Sequence, residues 1–142
     1  MDLGRIYQKA ELENTADVLA YKSGNLVQDR IRKVEIEFLV DTGASMVCLP
    51  GDLIQILGLQ PMYTRPAITA NGTVQTKVYS PIQLKIWDRK CNMEVMELPI
   101  GTPPLLGYLA LETLDLYPNP KKQILEGNPD YNGEMRVYLL VA

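Results

Sequence analysis

The chain contains no histidine. This removes the commonest general base and the commonest zinc ligand, and excludes Ser-His and Cys-His catalysis within the chain. Cysteine is scarce. Cys48 and Cys91 alone make neither a disulfide framework nor a metal knuckle. Both read as small buried thiols in a reducing compartment, with a disulfide as the alternative. There is no basic run, and 14 Lys and Arg stand against 17 Asp and Glu for a net charge of −3, so no nucleic-acid partner is expected. No apolar run approaches the ~18 residues of a membrane span. The first five residues lack the charged-then-apolar order of a signal peptide. These absences together imply a cytoplasmic protein without a membrane partner. No internal repeat or low-complexity segment is present.

The 142 residues, 46% apolar and 22% charged, have ordinary globular composition and suffice for one domain with a core, spanning residues 1–142. Loose alternation predicts a strand over 5–12, a turn over 14–17 and a short strand over 17–22. Residues 1–30 thus read as an N-terminal β arm, serving as scaffold or subunit contact. Val34, Ile36, Phe38 and Val40 alternate with charged residues and predict a half-buried strand. Residues 46–49 resume as strand. A short helix over 53–57 follows, with Asp52 in its first turn and Gly58 as its C-cap. Asn71-Gly72 lies between two extended runs and predicts a hairpin, because both residues tolerate positive φ. Strands follow over 82–86 and 91–98 around a turn at 88–90. A helix over 108–114 has Leu109, Leu111 and Leu114 as its apolar face. Short strands over 123–125 and 135–141 close the chain, residues 128–142 being assigned to a C-terminal strand. The total of about eight to ten short strands and two short helices describes a small, mostly antiparallel β-barrel-like domain.

Chemistry concentrates in one stretch. Strand 34–40 ends on Asp41, followed by Thr42-Gly43-Ala44 and a second apolar run. A carboxylate delivered by a rigid strand to a tight turn must be wet, paired or able to share a proton. Asp41-Thr42-Gly43-Ala44 resembles the active-site turn of the aspartic proteases. Leu105-Leu106-Gly107 resembles the apolar-apolar-glycine element that crosses beneath that turn, and the hairpin around Ala70, Asn71 and Gly72 sits where the family has its flap. Order and spacing resemble the retroviral-type (retropepsin-like), single-lobe branch, in particular its small prokaryotic members, over residues 31–127.

The resemblance implies a closed acid-protease β-barrel of one lobe with one or two short helices, and an aspartic endopeptidase. Asp41 would be catalytic. Thr42 would lock two turns together through crossed hydroxyls. Ala70, Asn71 and Gly72 would cover an extended peptide or protein substrate, and Leu105, Leu106 and Gly107 would support the site from below. No cofactor and no metal are implied. Peptide hydrolysis by carboxylates needs two of them sharing one proton. Asp2, Asp17, Asp29, Asp52, Asp88, Asp115 and Asp130 all lie in turn, helix-end or linker contexts, and none repeats the strand-turn setting of Asp41. The second carboxylate is therefore expected from a second copy in a symmetric homodimer. Ala44 lacks the hydroxyl found here in many relatives, which implies activity extending toward neutral pH. The alternatives are a non-catalytic retropepsin-like binding or dimerisation module, and a plain β scaffold with Asp41 as a turn former. The N-terminal arm and Tyr108, directly after Gly107, are departures that favour the module.

Overall fold

Alternation of charged and apolar side chains builds the strands around one core. The computed structural model describes residues 4–139. The strands are β1 (Tyr7–Asn14), β2 (Lys33–Val40), β3 (Val47–Pro50), β4 (Pro61–Thr69), β5 (Gly72–Ile86), β6 (Arg89–Leu98), β7 (Leu105–Leu106), β8 (Leu116–Asn119) and β9 (Ile124–Gly127). The first seven form one sheet in the order β1-β2-β7-β3-β6-β5-β4, and β1 also pairs with β5. The sheet therefore closes into a ring from which the β4–β5 hairpin projects, a mostly β, single-lobe architecture. The ring is less regular than the closed barrel expected. Pairing is antiparallel except for β2–β7 and β3–β6, which are parallel. Phe38, Leu12, Leu49, Leu84, Leu106 and Leu114 are among the fully buried side chains inside. Removing that apolar surface from water is the main stabilising contribution.

Three helices attach to the ring: α1 (Thr15–Lys22), α2 (Gly51–Ile56) and α3 (Tyr108–Leu114). Helix α1 corrects the strand expected over 17–22 and the turn over 14–17. Asn14 ends β1 and caps α1, its side-chain oxygen accepting from the Asp17 N–H at 3.2 Å. Its amide also donates to the Leu57 carbonyl at 2.8 Å. A cap with an acid in the first turn favours helix over the brief alternation read from the sequence. Residues 1–30 are accordingly not β throughout: β1 is a strand of the ring and α1 follows it. In α3 the buried residues are Ala110, Leu111 and Leu114, whereas Leu109 is 41% exposed. Gly107, in extended conformation, sets the first turn one position away from the expected face.

Two further expectations need correction. The β5–β6 turn lies at Trp87-Asp88, not at 88–90, and Trp87 takes φ of 57°. Arg89 can then open β6 as a buried residue. Its guanidinium donates to the carbonyls of Leu114 (2.9 Å), Asp115 (2.8 Å) and Gly133. The C-terminal strand expected over 128–142 is absent from the described residues. Pro129–Tyr131 is a 3-10 turn and residues 134–139 have no regular structure. Residues 140–142 lie outside the described residues. Residues 135–139 form no ladder with β1, whose partners among the described residues are β2 along Tyr7–Glu13 and β5 along Glu11–Asn14.

Asp17 is buried against Arg32. The Arg32 Nε and Nη2 donate to the two carboxylate oxygens at 2.9 Å each, and the Arg32 backbone N–H adds a bond at 3.0 Å. The guanidinium hydrogen bonds hold the Asp17 carboxyl below its ordinary value of 3.8. Its ionisation therefore adds stability above pH 3.8, which is lost as the pH falls through the lowered value. Replacing Asp17 by Asn should cost about 1–3 kcal/mol at neutral pH, the half-exposed arginine keeping the figure below that of a fully buried pair. Urea unfolding of both proteins at neutral and strongly acid pH checks this: the gap should narrow in acid.

Candidate active site

Strand β2 delivers Asp41, and β7 holds the turn that follows. Leu39 and Val40 align in parallel with Leu105 and Leu106. The Asp41 N–H donates to the Leu106 carbonyl at 3.0 Å, and the Leu39 N–H to the Pro104 carbonyl at 2.9 Å. The turn closes when the Ala44 N–H donates to the Asp41 carbonyl at 3.1 Å. The Gly43 N–H donates to the Asp41 side-chain Oδ1 at 2.9 Å, orienting the carboxylate. Asp41 itself is half-buried, while Thr42 and Gly43 are exposed. Among the described residues the Thr42 hydroxyl has no hydrogen-bond partner.

The far side of the turn is tied to α3. Tyr108 N–H donates to Ala44 O at 2.9 Å and Leu109 N–H to Ser45 O at 3.2 Å. The backbone at Gly107 thus passes directly beneath residues 44–46. A Cβ at Gly107 would lie 2.4 Å from Met46 O and 2.7 Å from Ala44 O. Only glycine fits such an approach without moving main chain. The structure thereby brings together Asp41, Thr42, Gly43 and Ala44 with Leu105, Leu106 and Gly107.

Cys48 sits buried behind the turn, opposite Leu105 in β7. Burial, and then the charge of Asp41, push its thiol up to about 11. Burial does the same to Cys91, and the two cysteines are free. Both are thus neutral packing groups at ordinary pH. Among the described residues no three His, Cys, Asp or Glu side chains cluster as a metal site would require.

The hairpin of β4 and β5 is present, but its loop is Ala70-Asn71, flanked by Thr69 opposite Gly72. The expected Asn71-Gly72 pair is shifted by one residue. Gly72 takes the positive φ, 109°, and neither Ala70 nor Asn71 does. The Thr69 hydroxyl explains the shift: it donates to Gly72 O at 2.7 Å and accepts from the Asn71 N–H at 3.2 Å. Among the described residues the loop makes no hydrogen bond to the Asp41 turn. Below the hairpin lies a cavity of about 560 Å³, walled by Ala67, Val74, Met96, Glu97, Leu98 and Ile100, among others. Glu97 escaped the sequence reading, yet a signal existed. It continues the Cys91, Met93, Val95 alternation, placing an acid where that pattern expects an apolar side chain.

A ring of strands, with an Asp-Thr-Gly turn held from below by a Leu-Leu-Gly strand, defines a single-lobe domain of the aspartic-protease class. The sequence matches the family described as gag-polyprotein putative aspartyl protease over residues 27–113, more than half of the chain, and the chain belongs to that family. Among solved structures, a retropepsin-like aspartic protease from Rickettsia conorii is similar at 27% identity and a TM-score of 0.52, covering 78% of this chain and 72% of that one. The Simian Foamy Virus (mac) protease has 22% identity and a TM-score of 0.47, covering 74% and 90%. The EIAV protease complexed with the inhibitor HBY-793 has 22% identity and a TM-score of 0.47, covering 56% and 77%. No curated protein sequence matches the chain. Among the described residues no helix is long and apolar enough to cross a membrane.

Proposed function

We propose that the chain is an aspartic endopeptidase acting as a symmetric homodimer, with one Asp41 from each subunit at the two-fold axis. The observation that carries this reading is the Asp41 turn. Its backbone is bonded to Leu106 and Tyr108 from below, while its carboxylate side is open enough to meet a second copy. Two such carboxylates at close range share one proton. The ionised one takes a proton from water, and the protonated one donates to the scissile carbonyl and protonates it as the water attacks. The Gly43 N–H holds one Asp41 oxygen, leaving the other for water. The exposed Thr42 hydroxyl is available to its counterpart in the other subunit.

Peptide or protein substrate would lie extended beneath the β4–β5 hairpin, with Ala70, Asn71 and Gly72 as a flap and no cofactor. Val137 and Leu139, 78% and 84% exposed, would be covered by the partner. Free, buried Cys48 and Cys91 suit a reducing, cytoplasmic setting. The N-terminal departure that favoured a non-catalytic module loses its force, because β1 is part of the ring.

The test is incubation of the purified chain with an unbiased peptide library from acid to neutral pH. Cleavage that disappears with Asp41→Asn supports the reading. Binding without cleavage at any pH points to the module. A second expectation concerns Ala44. A serine there would offer its hydroxyl to the ionised carboxylate, so the acid limb of the pH-rate profile should move to lower pH in Ala44→Ser. An unmoved limb would show that this position does not tune the reaction.

A further inference from the structure

We infer that the cavity beneath the β4–β5 hairpin selects an arginine or lysine side chain of an extended peptide, with Glu97 as the charge that chooses it. The inference rests on the peptide-binding part of the function proposed above, not on turnover. Alternate residues on one face of the hairpin, Ala67, Thr69, Val74 and Thr76, line the cavity. Met96, Leu98 and Ile100 complete apolar walls, and Glu97 supplies a carboxylate among them.

That carboxylate is held rather than neutralised. Its Oε1 accepts from the Tyr79 hydroxyl at 3.1 Å, and its backbone carbonyl accepts from the Thr76 hydroxyl at 3.1 Å. Burial, and then the adjacent Glu97, push the Tyr79 hydroxyl above its ordinary value, so it remains a donor. Among the described residues Glu97 takes part in no ion pair. Arg65, opposite Thr76 in the hairpin, makes none with it. Gly51, another wall of the cavity, leaves the carboxylate room, since a Cβ there would lie 3.3 Å from Glu97 Oε1.

A peptide settling over this cavity strips water from Glu97. With a neutral side chain in place the charge is desolvated without compensation, which opposes binding. An arginine or lysine instead lays its aliphatic stem along Val74, Met96 and Leu98 and brings its cation to the carboxylate. The volume, about 560 Å³, accommodates a long side chain together with part of the peptide backbone.

The experiment measures binding of peptides to the Asp41→Asn protein by calorimetry. Peptides are synthesised in pairs, each position in turn carrying arginine or its neutral isostere citrulline. At one position arginine should bind about 10- to 100-fold more tightly than citrulline. With Glu97→Gln added, whose amide oxygen still accepts from Tyr79, that ratio should fall to about one. With Tyr79→Phe, which keeps the carboxylate, it should persist. No arginine preference at any position, a preference that survives Glu97→Gln, or no peptide binding at all overturns the inference. A Glu97-dependent preference in a protein whose wild type never cleaves sustains it and overturns only the protease assignment.

Discussion

Gly107→Ala should unfold the chain far more readily than the same methyl addition at an open glycine such as Gly72. Gly107 has an ordinary φ of −83°, so alanine carries no conformational penalty there. The cost is steric. The added carbon meets Met46 O, Ala44 O and Ser45 C, all main-chain atoms, and none can swing aside as a side chain would. Either β7 moves away from the turn, or residues 44–46 move away from β7. Both displacements break the Tyr108-to-Ala44 and Leu109-to-Ser45 bonds, and the first also strains the Asp41-to-Leu106 bond. We expect a loss of at least about 3 kcal/mol in urea unfolding, at the upper end of overpacking costs. Gly72→Ala is the informative contrast. Nothing lies within 4 Å of its Cβ position, but its φ is 109°, so its cost is conformational and about 1–2 kcal/mol. If the two substitutions proved equally mild, β7 would not be the rigid support of the Asp41 turn.

The same contrast explains what the sequence could and could not disclose. Period-2 alternation made β2 and β6 legible because each has one face toward the core and one toward water. Asp41, Gly43, Leu106 and Gly107 were legible as an ordered set, since the turn and its support both need particular residue types. Helix α1 was not legible. Its local signal, Asn14 capping the Asp17 N–H three residues on, competes in the sequence with a brief alternation. The contacts that fix the outcome, Asn14 to Leu57 and Asp17 to Arg32, are distant in the chain. Ala110 in place of Leu109 on the buried face of α3 depends on the entry angle set at Gly107. Asp17 and Asp115 looked like turn and helix-end residues, yet both are buried polar groups with named partners. Asp115 takes a left-handed conformation at the end of α3, and its carboxylate accepts from the Arg136 N–H at 2.9 Å. Arg89, which ties α3 to the C-terminal segment, gave no local signal, because all its acceptors are backbone carbonyls of residues far along the chain.

Mixing Asp41→Asn with wild type should abolish activity faster than dilution does. Each chain presents a single Asp-Thr-Gly turn, so a chain that works alone loses activity in proportion to the mutant fraction. A chain that works in pairs behaves otherwise. If the two proteins are unfolded together in urea and refolded at equal amounts, about one quarter of symmetric dimers carry two aspartates by random pairing. Activity should follow that quarter. The hybrid holds one carboxylate and one amide, and the amide can neither take a proton from water nor share one with its neighbour. Pure Asp41→Asn should retain less than about one thousandth of the wild-type kcat, as expected when a general acid–base group is removed from a pair that acts as a unit. Light scattering of the mutant must show the same assembly as wild type, since the substitution keeps the Gly43 N–H acceptor and the turn that holds it. A straight-line loss with mutant fraction would mean that the second carboxylate comes from within the same chain. Because none of the other aspartates shares the setting of Asp41, such a line would remove the physical basis of the dimer and not merely adjust its affinity.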